Sequence, residues 1–175
     1  ITGKFWAYQT QGVTPDLIAF GKKMQVCGIL AGGRIDEVKD NVFHIKSRIN
    51  STWGGNLVDM VRAQRYLEII EEDGLIANAA TVGAHMLKGL QTLQGERPEI
   101  LSNARGRGLM CAIDMPDGPT RDAVIGHAYG LGMMILSCGT HSVRFRPPLD
   151  VTTAEIDEAL VLLRKATDLA VSKSA

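Results

Sequence analysis

The sequence predicts an α/β segment that passes through a connecting helix into an α+β segment. Three observations predict it. Two short apolar runs, Leu17–Phe20 and Val26–Leu30, are bounded by glycine, as buried strands are. Two long stretches from Leu57 to Leu93 then repeat apolar residues at three- and four-residue steps. Beyond Pro98, short apolar runs alternate with helical periods until Pro147 and Pro148. The expected division is residues 1–60, a connecting helix over 61–74, and residues 75–175.

Each element has its own signal. Pro15 and Asp16 open the first strand. The glycine-rich STWGGN stretch, residues 51–56, precedes a helix whose apolar positions are Leu57, Met60, Val61, Leu67 and Ile70, and the Asp73-Gly74 pair stops it. A second helix is expected from Leu75 to Leu93, with Ala80, Ala84, Leu87, Leu90 and Leu93 on its packing face and Gly95 and Pro98 ending it. Strand over Arg107–Met115, helix over Thr120–Leu131, and strands over Met133–Leu136 and Ser142–Phe145 follow. Thr152 with Glu155 three residues later forms a capping box for the last helix, whose stripe is Ile156, Leu160, Leu163 and Leu169.

Composition narrows the function classes. The 175 residues carry 19 basic and 19 acidic side chains, so charge gives no reason to expect nucleic acid or an anionic membrane as partner. No apolar run approaches the roughly 20 residues needed to cross a bilayer. Cys27, Cys111 and Cys138 are odd in number and widely spaced, which fits a reduced, cytoplasmic setting. The four histidines show no metal-binding spacing, and no metal is expected. The chain opens on Ile1 in mid-pattern, so a piece of something longer is expected.

Three stretches carry chemistry. Glycines before a helix N-terminus let backbone N–H groups approach an anion, usually phosphate; in GGN (54–56), Asn56 can cap the helix while Ser51 and Thr52 add hydroxyls. Alone, the stretch also reads as an ordinary capped loop. In VRFRPPL (143–149), alternation puts Arg144 and Arg146 on one strand face, where guanidinium forks bind carboxylates or stay solvated. GRG (106–108) lacks a full dinucleotide pattern and reads as a tight turn entering a strand. Lys22 and Lys23 end the first strand. An amine there is either solvated or held neutral by burial as a nucleophile toward aldehydes. An aldehyde-capturing lysine, a phosphate-holding loop and a carboxylate-binding arginine together are what an amino-acid-handling pyridoxal phosphate enzyme needs.

PDLIAFGKK, STWGGN and VRFRPPL resemble, in that order, the second half of class III (ω-amino acid) aminotransferases. The resemblance covers nearly the whole chain and extends through FWAYQ, RIDEVKDNVF, SRINSTWGGNLVDMVR and RGRGLMCA. It implies the C-terminal part of a fold-type I transferase dependent on pyridoxal 5′-phosphate: the end of the large cofactor-binding domain, then a small α+β domain. It implies that Lys22 is the Schiff-base lysine and proton shuttle, and that Lys23 is a neighbour without that role. Thr52 matches the threonine that bonds the cofactor phosphate of the other subunit, which implies a homodimer with shared active sites. Ser51 is expected at the same phosphate and Asn50 near the substrate. Arg144 matches the arginine that serves the substrate carboxylate, directly or through a glutamate switch. The family's pyridine-pairing Asp, stacking aromatic ring and Gly-Ser phosphate loop would fall before Ile1. The expected reaction moves the ε-amino group of L-lysine to 2-oxoglutarate, giving 2-aminoadipate 6-semialdehyde and L-glutamate. Ornithine, acetylornithine or 4-aminobutyrate are the alternative donors, and a non-catalytic remnant is the rival reading.

Overall fold

Two chain units, residues 7–74 and residues 75–175 with 1–6, emerge from the computed structural model, which describes residues 1–24 and 26–172. The side chain of Lys23 lies outside the described residues.

In the first unit, β1 (Leu17–Phe20) pairs antiparallel with β2 (Gly28–Ala31), Leu17 opposite Ala31 and Phe20 opposite Gly28. The apolar composition that predicts these strands also predicts burial. The structure differs: Leu17, Ile29 and Leu30 are exposed, because a two-stranded ribbon has no second layer within its unit to cover its faces. The residues that follow are knitted by turns around Asn41. Its Nδ2 donates to the carbonyls of Ile35 (3.1 Å) and Val38 (2.9 Å), and its Oδ1 accepts from the Phe43 N–H at 2.9 Å. This accounts for a buried polar side chain, since each of its groups is satisfied. Helix α1 (Leu57–Glu72) then begins at Asn56, whose side chain accepts from the Val58 N–H at 3.1 Å. It stops at Asp73, and Gly74 takes the left-handed conformation (φ 61°) that a helix end needs.

The second unit is two-layered. Helix α2 (Leu75–Glu96), β3 (Ser102–Arg107), β4 (Met110–Asp114), α3 (Gly118–Gly130), β5 (Leu136–Cys138), β6 (Ser142–Phe145) and α4 (Thr153–Ser172) follow one another along the chain. The sheet is antiparallel in the order β3-β4-β6-β5. Cys111, Ile113 and Val143 are buried in a core with Leu90, Leu93, Val124, Ile156 and Leu163 from the helices. Asp117 caps α3 through a bond from the Thr120 N–H at 2.8 Å. The Thr152–Glu155 capping box is made in both directions, at 2.8 and 3.3 Å.

Four expectations are corrected. The packing face of α2 is Ala79, Val82, Gly83, Met86, Leu90 and Leu93, rotated away from Ala80 and Ala84, which are exposed. That rotation follows from Gly83: a Cβ there would meet the Gly108 carbonyl carbon at 2.1 Å, so the helix packs through its smallest residue. Helix α2 also runs past Gly95, because the Arg97 N–H continues to the Leu93 carbonyl at 3.1 Å. Ser102–Arg107 forms a strand of its own, and the hairpin turn is Gly108-Leu109 rather than the start of one long strand. Finally, the α4 stripe continues through Ala166 and Ala170 while Leu169 is exposed.

Candidate active site

Chain direction sets the lysine. β1 ends at Phe20, and a single 3-10 turn, Lys22–Met24, follows, closed by a 3.0 Å bond from the Met24 N–H to the Gly21 carbonyl. Lys22 takes φ 36°, a region that residues with a Cβ rarely occupy. Strain of this kind persists where surrounding structure imposes it, and it concentrates at functional sites. The Lys22 side chain is exposed in this chain.

The STWGGN loop folds back on itself before α1. The Gly54 N–H bonds to the Ser51 carbonyl at 3.0 Å and the Asn56 N–H to the Trp53 carbonyl at 3.3 Å. Ser51 and Thr52 are thereby held, exposed, beside the N-terminus of a 16-residue helix, where partial positive charge favours an anion. A cavity of about 480 Å³ lies between this loop and the β1–β2 ribbon. Its lining brings Asn50, Ser51 and Gly54 together with Phe20, Cys27 and Gly28. An apolar wall with a few convergent polar groups is the usual make-up of a small-molecule site. Lys22 and Thr52 are not among its lining residues.

Arg144 stands in the other unit, on β6, opposite Ala112 of β4 and Leu136 of β5. Its Nε is buried and has no hydrogen-bond partner among the described residues. An unpaired buried donor costs about 1–3 kcal/mol. Arg146 lies beyond the end of β6 and is exposed, because Pro147 removes a ladder donor and restricts the residue before it. The segment after β6 is anchored by Asn78, whose Nδ2 donates to the carbonyls of Leu149 (2.8 Å) and Val151 (3.0 Å).

One cluster escapes sequence reasoning. The Asp114 carboxylate accepts from Arg105 Nη1 at 2.7 Å, Ser142 Oγ at 2.5 Å and Asn103 Nδ2 at 2.8 Å. Burial alone would raise its pKa, but the bonds from Ser142, Arg105 and Asn103 outweigh it and bring the group down to about 2. Its only trace in the sequence is an acid closing the apolar run of β4. Cys111 is the opposite case: burial pushes its thiol up to about 11, so it stays protonated at neutral pH. Among the described residues, no group of three His, Cys, Asp or Glu could hold a metal ion, and no helix is long and apolar enough to cross a membrane.

Known proteins share this chain's sequence and shape. The Aminotransferase class-III family profile matches residues 1–167. L-lysine-epsilon aminotransferase of Amycolatopsis lactamdurans is 54% identical over 164 residues, which are 93% of this chain and 36% of that protein. The mitochondrial 4-aminobutyrate aminotransferase of Sus scrofa is 37% identical over 150 residues, 85% of this chain and 29% of that protein. The solved lysine aminotransferase of M. tuberculosis, in its internal aldimine form, superposes with a TM-score of 0.92 at 50% identity, covering 97% of this chain and 39% of that one. The chain thus spans little more than a third of the curated relatives it matches. Its helices and antiparallel sheets are those of the C-terminal part of a fold-type I transferase, and the chain belongs to the class III aminotransferase family.

Proposed function

We propose that the complete protein is a pyridoxal 5′-phosphate-dependent transaminase that moves the ε-amino group of L-lysine to 2-oxoglutarate. The observation that carries this reading is the 54% identity to an L-lysine-epsilon aminotransferase across nearly the whole chain, against 37% to the 4-aminobutyrate enzyme. The residues present fit the cofactor: a lysine in a strained turn, a hydroxyl-bearing loop at a helix N-terminus, and a buried arginine donor without an internal acceptor.

Bound pyridoxal 5′-phosphate supplies an electron sink for the carbon that carries the amino group. Lys22 Nζ would be the residue that holds the cofactor. The same nitrogen would serve as the base that takes the proton from the substrate carbon and as the acid that gives it back. Ser51 and Thr52 would donate hydroxyl hydrogen bonds to the cofactor phosphate, Thr52 in the site of a second protomer, and Asn50 would lie beside the substrate. Arg144 receives a substrate carboxylate through its fork. The homodimer is part of the proposal, supported by the exposed apolar side chains Leu57, Val58 and Val61 along the first turns of α1. A cytoplasmic location is proposed on the three free cysteines.

Amino-donor kinetics on the full-length protein test the substrate. Lysine should exceed ornithine and 4-aminobutyrate in kcat/KM by about tenfold or more, a difference of ~1.4 kcal/mol in transition-state binding. Faster turnover of ornithine overturns the donor assignment. Borohydride reduction of the loaded protein followed by peptide mapping should place the adduct on Lys22.

A further inference from the structure

We propose that Arg105 is a positioning residue: by holding the Asp114 carboxylate it keeps that carboxylate off Arg144 and leaves the Arg144 fork open to a substrate carboxylate. The inference rests on the assignment of Arg144 above.

Register puts the three groups on one face of the sheet. Asp114 is paired with Ser142, and Ala112, two residues earlier on β4, is paired with Arg144. Arg105 faces the same Ala112 from β3. Paired residues share a face, and so do alternate residues of one strand. Asp114 and Arg144 are therefore diagonal neighbours, roughly 7 Å apart along the backbone and within reach of long side chains. An acid and a guanidinium so placed would ordinarily pair.

They do not pair. Asp114 Oδ1 is occupied by Arg105 Nη1 and Ser142 Oγ, and Oδ2 by Asn103 Nδ2. Arg105 Nη2 donates onward to Ser142 Oγ at 3.2 Å, while His141 Nε2 stands 3.9 Å from Oδ2. A bulge between Ser102 and Arg105, with Asn103 at φ 52°, lets two side chains of β3 reach one carboxylate. Among the described residues Arg144 has no ion pair, and its Nε is left without an acceptor. An acid lying between two arginines is thus committed to one, and the other is free of internal competition.

Steady-state kinetics on the loaded full-length enzyme test this. Arg105→Gln should raise KM for 2-oxoglutarate about tenfold and leave kcat within about twofold, because the released carboxylate competes for Arg144 in the ground state and the transition state alike. Adding Asp114→Asn should bring KM back to near the original value, since the competitor has lost its charge. A merely structural role would give a double variant at least as impaired as the single one, and that result overturns the proposal. So does an unchanged KM in Arg105→Gln. If Arg105→Gln does not fold, Arg105→Lys takes its place: it keeps the charge but loses the fork, so KM rises less and Asp114→Asn again restores it. Arg144→Gln in the same assay separates the premise from the inference. A raised KM there with none in the Arg105 variants defeats only the inference, whereas no rise in Arg144→Gln defeats the assignment of Arg144 itself.

Discussion

Helices α1 and α2 follow each other directly, carry the same three-and-four apolar spacing, and end up in opposite circumstances. α2 buries Ala79, Val82, Met86, Leu90 and Leu93 against the sheet of its own unit. α1 buries only Ala63 and leaves Val61 68% exposed. The contrast extends to the units that hold them. Residues 75–175 close a core whose members come from every helix and from β4 and β6, whereas the apolar side chains of 7–74 face outward from a ribbon, a set of turns and one helix. Periodicity reports that a face wants to be covered, and it is silent on what covers it. Arg144 stands in the unit with its own core, and Lys22 and the STWGGN loop stand in the unit without one.

This contrast can be broken at five positions. Lys22→Ala should cost about 10³-fold or more in turnover without changing thermal unfolding of the core-bearing unit, while Lys23→Ala should retain much of the activity; equal loss from both would contradict the assignment. Leu90→Ala should destabilise by about 3 kcal/mol, since it opens a cavity in a fully enclosed position. In denaturant titration of this chain, Val61→Ala on α1 should shift the midpoint by under about 0.5 kcal/mol, and parity between the two would erase the distinction between the helices. For Thr52→Ala the expectation is weaker cofactor retention by about 1.5–3 kcal/mol, the worth of one charge-assisted hydrogen bond, read as faster release on dialysis.

A further effect concerns acid. Asp114 has a folded pKa of about 2 against an ordinary 3.8. Because the folded value is the lower one, its contribution is complete above pH 4 or so and is lost as pH falls toward 2. The shift corresponds to about 2 kcal/mol. Asp114→Asn should flatten stability measured across that window.

Legibility follows the range of the interaction that decides each feature. Asn56 as a helix cap, Asp73-Gly74 as a stop and the Thr152–Glu155 box rest on groups a few residues apart, and all three are visible in sequence. Strand β3 is not. Its residues, SNARGR, carry almost no apolar signal, and it exists because β4 offers it a ladder. Leu90 and Leu93 of the α2 face are legible in sequence, whereas its first turns face inward through Ala79 and Gly83, and Gly83 packs against Gly108, which is distant in sequence. At the candidate site, Lys22, Thr52 and Arg144 are legible as residue types apt for the chemistry, and their individual roles come from resemblance. The Lys22 backbone strain and the commitment of Asp114 to Arg105 depend on turns and on three strands meeting, and no local pattern encodes either.

The opening residues of the chain have a bearing on how the core-bearing unit assembles. The carbonyl of Ile1 accepts from the Leu109 N–H at 2.9 Å, and it lies so close to Gly108 that a Cβ there would sit 2.2 Å away. Three passes of polypeptide, the first residues, the β3–β4 turn and α2 at Gly83, therefore stack without an intervening side chain. Joining the first of them to the others closes a loop of roughly a hundred residues, at an entropic cost that grows only slowly with loop length. Without these residues the Leu109 amide would lose its acceptor and the approach of Gly83 to Gly108 would stand uncovered.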